Sequence, residues 1–305
     1  METSKKKIVE SVPNFSEGKD ANVIDNIVNE IKGTPNTRIV DVQYDKDYNR
    51  AVVTFVGTPE ATLKANISAA KKAIELIDMG KHKGQHPRIG AVDVVPFVPA
   101  QNISMEEAID LSVRFAETMA KENVPVYLYE ESARKLERKN IDNIRIGEYE
   151  GLKETIKSDT ERKPDFGPSE LHPTAGAIIT GARLPLISFN INLGTKNVEI
   201  AKKVAKAIHL SSGGLVNIKA MGTILEGKDY VQVGISNVNY RKTPLYRQLE
   251  LVKIEAARYG VKIIGTELVG VLPLGAVLNT LEYYLQLQNP SKLEEKHLLE
   301  HYFDF

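Results

Sequence analysis

The chain has 305 residues, 42% of them hydrophobic and 26% charged, which is the profile of an ordinary globular protein long enough for two domains. Lys+Arg and Asp+Glu both number 40, so there is no net field to hold a polyanion, and small-molecule partners are favoured over nucleic acid. Cysteine is absent, which excludes disulfides, thiolate catalysis and Cys-based metal centres.

No apolar core follows the lysines near the N-terminus, and no run reaches the roughly 18 apolar residues of a membrane span. The expectation is a cytoplasmic protein with no membrane partner.

A β-like run over residues 7–12 leads into a helix whose Ile24, Ile27, Val28 and Ile31 follow the i, i+3, i+4, i+7 spacing of one buried stripe. Strands are predicted over 37–42 and 50–56. Thr58-Pro59-Glu60 then reads as an N-cap, a proline at N1 and an acid in the first turn of a helix running to about Asp78. After a loop over 80–90 come a strand over 91–98, a capping box Ser104-Met-Glu-Glu107 opening a helix to about Glu122, and the β-rich Val126-Tyr-Leu-Tyr129. Residues 141–163 are charged and weakly patterned, and the Pro/Gly-rich run over 163–168 ends them.

The order then repeats: strand 186–193, helix 198–209, strands 216–224 and 230–238, a helix opened by Thr243-Pro244, and strand 261–269. Both halves read as βαββαβ, so the expected class is α+β, with two ferredoxin-like subdomains, largely antiparallel sheets and a ligand cleft between them. The subdomains are placed at 1–180 and 181–305. The final thirty residues, Gln288 to Phe305 especially, read as a charged helix with an aromatic end, available for a dimer contact.

One segment gathers chemistry. Asp78-Met-Gly-Lys-His82-Lys-Gly-Gln-His86-Pro-Arg88-Ile-Gly90 packs two His, an Arg and two Lys into a loop between a helix and a strand. Imidazole titrates near neutral pH, as a group passing protons between amines must. The i, i+4 spacing of His82 and His86 is that of a zinc pair, but Gly84 and Pro87 argue against a helix there and no HExxH glutamate is present, so no metal is expected. A solvated turn with backbone-capping histidines is equally compatible with these residues. The same plain reading applies to Val12-Pro-Asn-Phe-Ser-Glu-Gly18 as a helix cap, and to Asp45, Asp47, Asn49 and Arg50 as a polar hairpin connection.

The ordered set of motifs carries more than any one of them. Val12-Pro-Asn-Phe-Ser-Glu-Gly18, His82-x-Gly-x-His86-Pro-Arg88, Gly90-Ala-x-Asp93, Pro125-Val-Tyr-Leu-Tyr129, Gly147-Glu-Tyr-Glu150, Pro164-Asp-Phe-Gly-Pro168, Gly181-Ala-Arg183 and Phe189-Asn-Ile-Asn-Leu193 resemble the formiminotransferase domain of glutamate formimidoyltransferases. The resemblance runs from about Ile8 to Leu274 and fades in the last thirty or so residues.

That resemblance implies transfer of a formimino group from N-formimino-L-glutamate to N5 of tetrahydrofolate, releasing L-glutamate, in histidine degradation. It implies His82 as the acid/base. It also implies folate contacts from Lys163, Pro164, Asp165, Phe166, Gly167, Pro168, Ser169, Glu170, Leu171 and His172, a stretch in which Lys163 and Ser169 to His172 depart most from the family. A homodimer is expected, with the product passed to a separate cyclodeaminase. Because both substrates carry glutamate carboxylates, Arg88 and Arg183 are candidate anchors, and Asp41 and Asp165 are candidates for the cationic adduct or the pterin edge. A formyl donor, and a non-catalytic folate-binding protein, are the alternatives this reading leaves open.

Overall fold

The structure is a computed structural model that describes residues 6–302 apart from Glu226 and Ser291. The chain forms two compact units, Met1–Arg183 and Leu184–Phe305.

The first unit is built on a mixed sheet. Strands β1 (Ile8–Ser11) and β2 (Asn14–Phe15) form one interrupted line, followed by α1 (Ala21–Lys32), the hairpin β3 (Thr37–Asp45) and β4 (Arg50–Gly57), α2 (Pro59–Leu76), β5 (Val92–Gln101), α3 (Met105–Lys121) and β6 (Val126–Leu128). The short helices α4 (Ile141–Ile144) and α5 (Glu148–Thr155) precede β7 (Ile178–Ala182). Strands β3, β4, β1/β2 and β5 pair antiparallel in the order of a ferredoxin-like βαββ unit, and β7 and β6 extend the sheet in parallel beyond β5.

The helical stripe explains the layer above the sheet. Ile24, Ile27, Val28 and Ile31 of α1 are all buried, each contributing about 1.5–3 kcal/mol relative to exposure. With α2 and α3 they cover Phe55 and Phe97 of the sheet. The capping box forms as the sequence predicts, with Ser104 and Glu107 each satisfying the other's backbone N–H. Thr58 is the N-cap of α2, but its side chain makes no capping bond, so Pro59 at N1 sets that start.

The opposite face of the sheet is covered only in part. Ile144 and Leu152 of α4 and α5 pack on Val94, Tyr127 and Ile179 of β5, β6 and β7. Towards β4 this face is left half-buried: Arg50, Val52, Thr54 and Val56 alternate with the buried Ala51, Val53, Phe55 and Gly57.

The second unit repeats the βαββαβ order in β8 (Ile187–Leu193), α6 (Val198–Ile208), β9 (Ile218–Ile224), β10 (Val231–Asn237), α7 (Leu245–Ala257) and β11 (Ile263–Val269). Its sheet, β11-β8-β10-β9, is antiparallel throughout. One face is covered by Val204, Ile208 and Val252 of α6 and α7. The predicted class, α+β with largely antiparallel sheets, is the one observed.

The differences fall at the ends of the two halves. Sequence reading placed no strand over Ile178–Ala182, yet this short apolar run is the buried parallel strand β7. The helix expected in the final thirty residues begins earlier than the 288–305 stretch: it is α8 (Leu274–Leu285), whose Tyr283 stacks on Tyr246 of α7 with ring centroids 4.1 Å apart. The charged helix expected over 288–305 is corrected: its described residues form only two 3₁₀ turns, Glu295–His297 and Leu299–Tyr302, and residues 303–305 lie outside the described residues. The first half of this stretch, with Pro290, Lys292, Glu294, Glu295 and Lys296, offers Leu293 as its one apolar residue, too few to hold a longer helix on the fold. Among the described residues, no helix is long and apolar enough to cross a membrane.

Candidate active site

The connection from α2 to β5, residues 77–91, wraps around the β3–β4 turn. It is anchored at its start by Ile77 N–H to Ala73 O at 2.9 Å and by the buried Met79, whose N–H donates to Thr174 O at 2.7 Å. Asp78 then turns the chain, its side chain accepting from Gly80 N and its carbonyl from Lys81 N and His82 N. The tip is clasped by the hairpin turn, with Gln85 N–H donating to Asp47 O at 3.1 Å. A side chain at Gly84 would put its Cβ 2.3 Å from Tyr48 O, so only glycine allows this approach.

Asn49 is the hub of the clasp. Buried and left-handed (φ 48°), it accepts from Gly18 N at 2.9 Å and donates to Lys83 O at 3.0 Å. Its own carbonyl lies 3.0 Å from His82 Nε2. A carbonyl can only accept, so this contact places the imidazole proton on Nε2. Nδ1 is then the acceptor, and Arg88 Nε donates to it at 3.3 Å.

The half-buried His82 has its pKa lowered chiefly by burial, with Arg88 and Lys19 pushing the same way and the Asn49 bond and Glu17 opposing. The ring is therefore a neutral base at pH 7 with its basic nitrogen known.

Arg88 is held in turn by two acids. Its Nη1 donates to Glu148 at 2.6 Å and Glu150 at 2.9 Å, and its Nη2 to Glu150 at 2.7 Å. Left-handed Gly147 and Glu148 (φ 76° and 54°) turn the start of α5 so that both carboxylates meet the guanidinium. Arg88 is itself buried, and these pairs lower the Glu150 pKa and raise that of Arg88 against the cost of burial. A cavity of about 670 Å³ opens beside this network, lined by His82, Lys83, Arg88, Tyr149, Glu150 and Lys153 among others.

The other predicted residues sit as follows. The residues just after the 163–172 stretch are laced to the His82 loop through Met79 to Thr174, Ala91 to Ala175 and Ala177 to Ile89. Within the stretch, several side chains are used by the protein itself. Asp165 forms a buried pair with Arg138 at 2.7 Å and accepts from Leu128 N, while Arg134 stacks over Phe166. Lys163 O accepts from Arg138, Leu171 packs on the core, and His172 Nδ1 accepts from Ala175 N at 3.1 Å. Gly167, Pro168, Ser169 and Glu170 are exposed, and Pro164 is half-buried. Asp41 lies on the outer strand β3 and accepts from Gln43 at 2.6 Å. Arg183 closes the first unit, hydrogen-bonded to the buried Tyr129 hydroxyl and acting on Glu10.

Sequence reasoning missed Asn49, Glu148 and Glu150. Asn49 stood in the sequence as part of a polar hairpin connection, and Gly147-Glu-Tyr-Glu150 as a motif without an assigned role. Among the described residues, no group of three or more His, Asp or Glu is placed to hold a metal ion.

A neutral histidine clasped to a ferredoxin-like sheet, with a guanidinium and two carboxylates behind it, is an arrangement chemically able to take up and return a proton. The chain belongs to the formiminotransferase family: residues 8–183 match the N-terminal subdomain of the formiminotransferase domain, and residues 188–304 match the formiminotransferase domain. It is 43% identical over 297 residues to a protein of Streptococcus pyogenes named glutamate formimidoyltransferase, covering 96% of this chain and 99% of that one. A protein of the same name from Thermoplasma acidophilum is 44% identical, covering 96% of both chains. The formimidoyltransferase-cyclodeaminase of Gallus gallus is 42% identical over 96% of this chain and 55% of its own length.

Proposed function

We propose that this protein transfers the formimino group of N-formimino-L-glutamate to N5 of tetrahydrofolate, with His82 carrying the proton. N5 attacks the formimidoyl carbon, forming the new C–N bond. Arg88 Nε must release His82 Nδ1 for that nitrogen to take the N5 proton, and the tetrahedral adduct then breaks its bond to the glutamate nitrogen as the imidazolium returns that proton to the departing amine. No covalent enzyme intermediate is needed.

The observation that carries this reading is the fixed state of His82: proton on Nε2, lone pair on Nδ1, and a pKa below the ordinary histidine value. Such a base is unprotonated at neutral pH, and its conjugate acid is strong enough to protonate an amine leaving group.

Arg88 is assigned here to orient His82 rather than to anchor a substrate, because its guanidinium already makes four hydrogen bonds within the protein. The folate is proposed to meet the exposed Gly167 to Glu170 of the 163–172 stretch, whose fold Asp165, Phe166 and His172 hold in place. Asp41 and Arg183 are retained as proposed substrate contacts.

The test is single-turnover transfer from N-formimino-L-glutamate to tetrahydrofolate, followed by the folate absorbance and by the glutamate released. Stoichiometric 5-formiminotetrahydrofolate supports the reading. Folate binding with no transfer from this donor, or transfer only from N-formyl-L-glutamate, contradicts it.

A further inference from the structure

Three guanidiniums stand in the elements around His82, and they differ in what neutralises them. Arg88 has Glu148 and Glu150, and Arg145 has Asp93. Arg50 has only a neutral amide: its Nε donates to Asn14 Oδ1 at 2.8 Å, its Nη2 bonds to the same oxygen, and among the described residues it forms no ion pair. Asp93 acts on it from a distance, but that carboxylate is already taken by Ile89 N–H and Arg145.

The surroundings do not offset the charge. Arg50 lies on the half-buried face of β4, where burial lowers its pKa to about 10, against the opposing pull of Asp93. His86 beside it is pushed down to about 3 by burial and by Arg50, so it is neutral at pH 7. Arg50, Arg145, Asp93 and His86 together leave one positive charge. A half-buried cation without a counterion carries a desolvation cost that an incoming anion removes. A guanidinium matches a carboxylate edge to edge, two N–H groups to two oxygens. Arg50 also follows directly on Asn49, whose carbonyl holds His82 Nε2, so a carboxylate here is registered to the imidazole through one residue of backbone.

We propose that Arg50, backed by Asn14, is the carboxylate anchor of the active site and takes a glutamate-type carboxylate of a substrate. The identity of that carboxylate rests on the transferase reading above; the existence of the site does not. Two sources share the chemistry, the glutamate of the formimino donor and the glutamate tail of folate.

The test is titration of the protein with glutarate, a bare five-carbon dicarboxylate, while following the ¹⁵Nε signal of Arg50, assigned by its loss in Arg50→Lys. A saturable shift in wild type is expected. In Asn14→Asp, which sets a carboxylate against the same guanidinium, the response should vanish while the fold is kept. No saturable shift in wild type, or an equal one in Asn14→Asp, overturns the proposal even if the protein is an active transferase. An enzyme inactive in transfer that still shows the shift leaves the site standing and removes only the transferase reading.

Calorimetry with Arg50→Gln then separates the sources. Loss of about 10- to 100-fold in affinity for N-formyl-L-glutamate alone assigns the donor, and the same loss for p-aminobenzoyl-L-glutamate alone assigns the folate tail. Unchanged affinity for both overturns the proposal.

Discussion

The two units share one topology and differ in what they hang on it. In the first, the connection from the second helix to the fourth strand of the βαββαβ repeat spans residues 77–91 and carries His82, His86 and Arg88; in the second, the equivalent connection is only residues 258–262. The second unit keeps its polar groups on strands instead. There Gln232 donates to Asn192 at 2.8 Å and to Glu267 at 3.0 Å, and Asn192 also donates to Glu267. Amides tied to one carboxylate cannot pass protons near neutral pH, whereas an imidazole can. The two units share the scaffold, and the proposed chemistry rests on the longer connection and the clasp that fixes it.

If that contrast is right, damage confined to the long connection removes chemistry before it removes the fold. The largest expected effect is His82→Ala, which should lower single-turnover transfer by about 10²-fold or more while folate affinity is retained. A loss of folate binding in parallel would instead make His82 a packing residue.

His86 offers a stability test of the same loop. With a folded-state value of about 3 against 6.5 when unfolded, it binds a proton more readily in the unfolded chain. The neutral ring therefore stabilises the fold fully above pH 6.5, and that contribution fades as pH falls towards 3, by about 2–4 kcal/mol in all. Urea titrations of His86→Gln should show a flatter loss of stability over this window than wild type. Parallel curves would mean that burial of the ring is not what the geometry indicates.

Gly84→Ala tests the clasp. A Cβ 2.3 Å from Tyr48 O forces the loop off the hairpin turn, at about 1–3 kcal/mol of stability. Transfer should fall with it, because Asn49 no longer fixes His82. Unchanged thermal stability and rate would show that the loop tip is not clasped.

The smallest effect sharpens the electrostatics. In Glu150→Gln the guanidinium of Arg88 beside His82 loses the negative charge of the carboxylate that accepts two of its hydrogen bonds. The imidazolium then becomes less favourable, and the His82 pKa should fall further, though only slightly because Glu150 is solvent-exposed and screened. A rise would reverse the reading that the charge of Arg88 adds to burial in depressing it.

How much of this was legible in the sequence depends on how local each signal is. The stripe Ile24, Ile27, Val28 and Ile31 and the box Ser104 to Glu107 lie within one or two turns of themselves, and both appear as read. The run Ile178–Ala182 is too short to separate from a loop, and its parallel partners β5 and β6 are distant in the chain. The site divides the same way. His82 and Arg88 stood out because they cluster, but the acids that hold Arg88 lie some sixty residues further on. Arg50 meets Asn14 only because β2 and β4 pair, Asn14 opposite Val52. Read locally, both belong to ordinary turns. Only the sheet reveals that one is an amide set against an uncompensated guanidinium.

The most direct test of the central claim is to measure, on one sample, the His82 imidazole titration by NMR and the pH dependence of single-turnover transfer. The account predicts that the acid limb of the rate profile coincides with the His82 titration, and that both lie below the ordinary histidine value of 6.5. A rate that stays flat while His82 takes up its proton would contradict the assignment of His82 as the proton carrier.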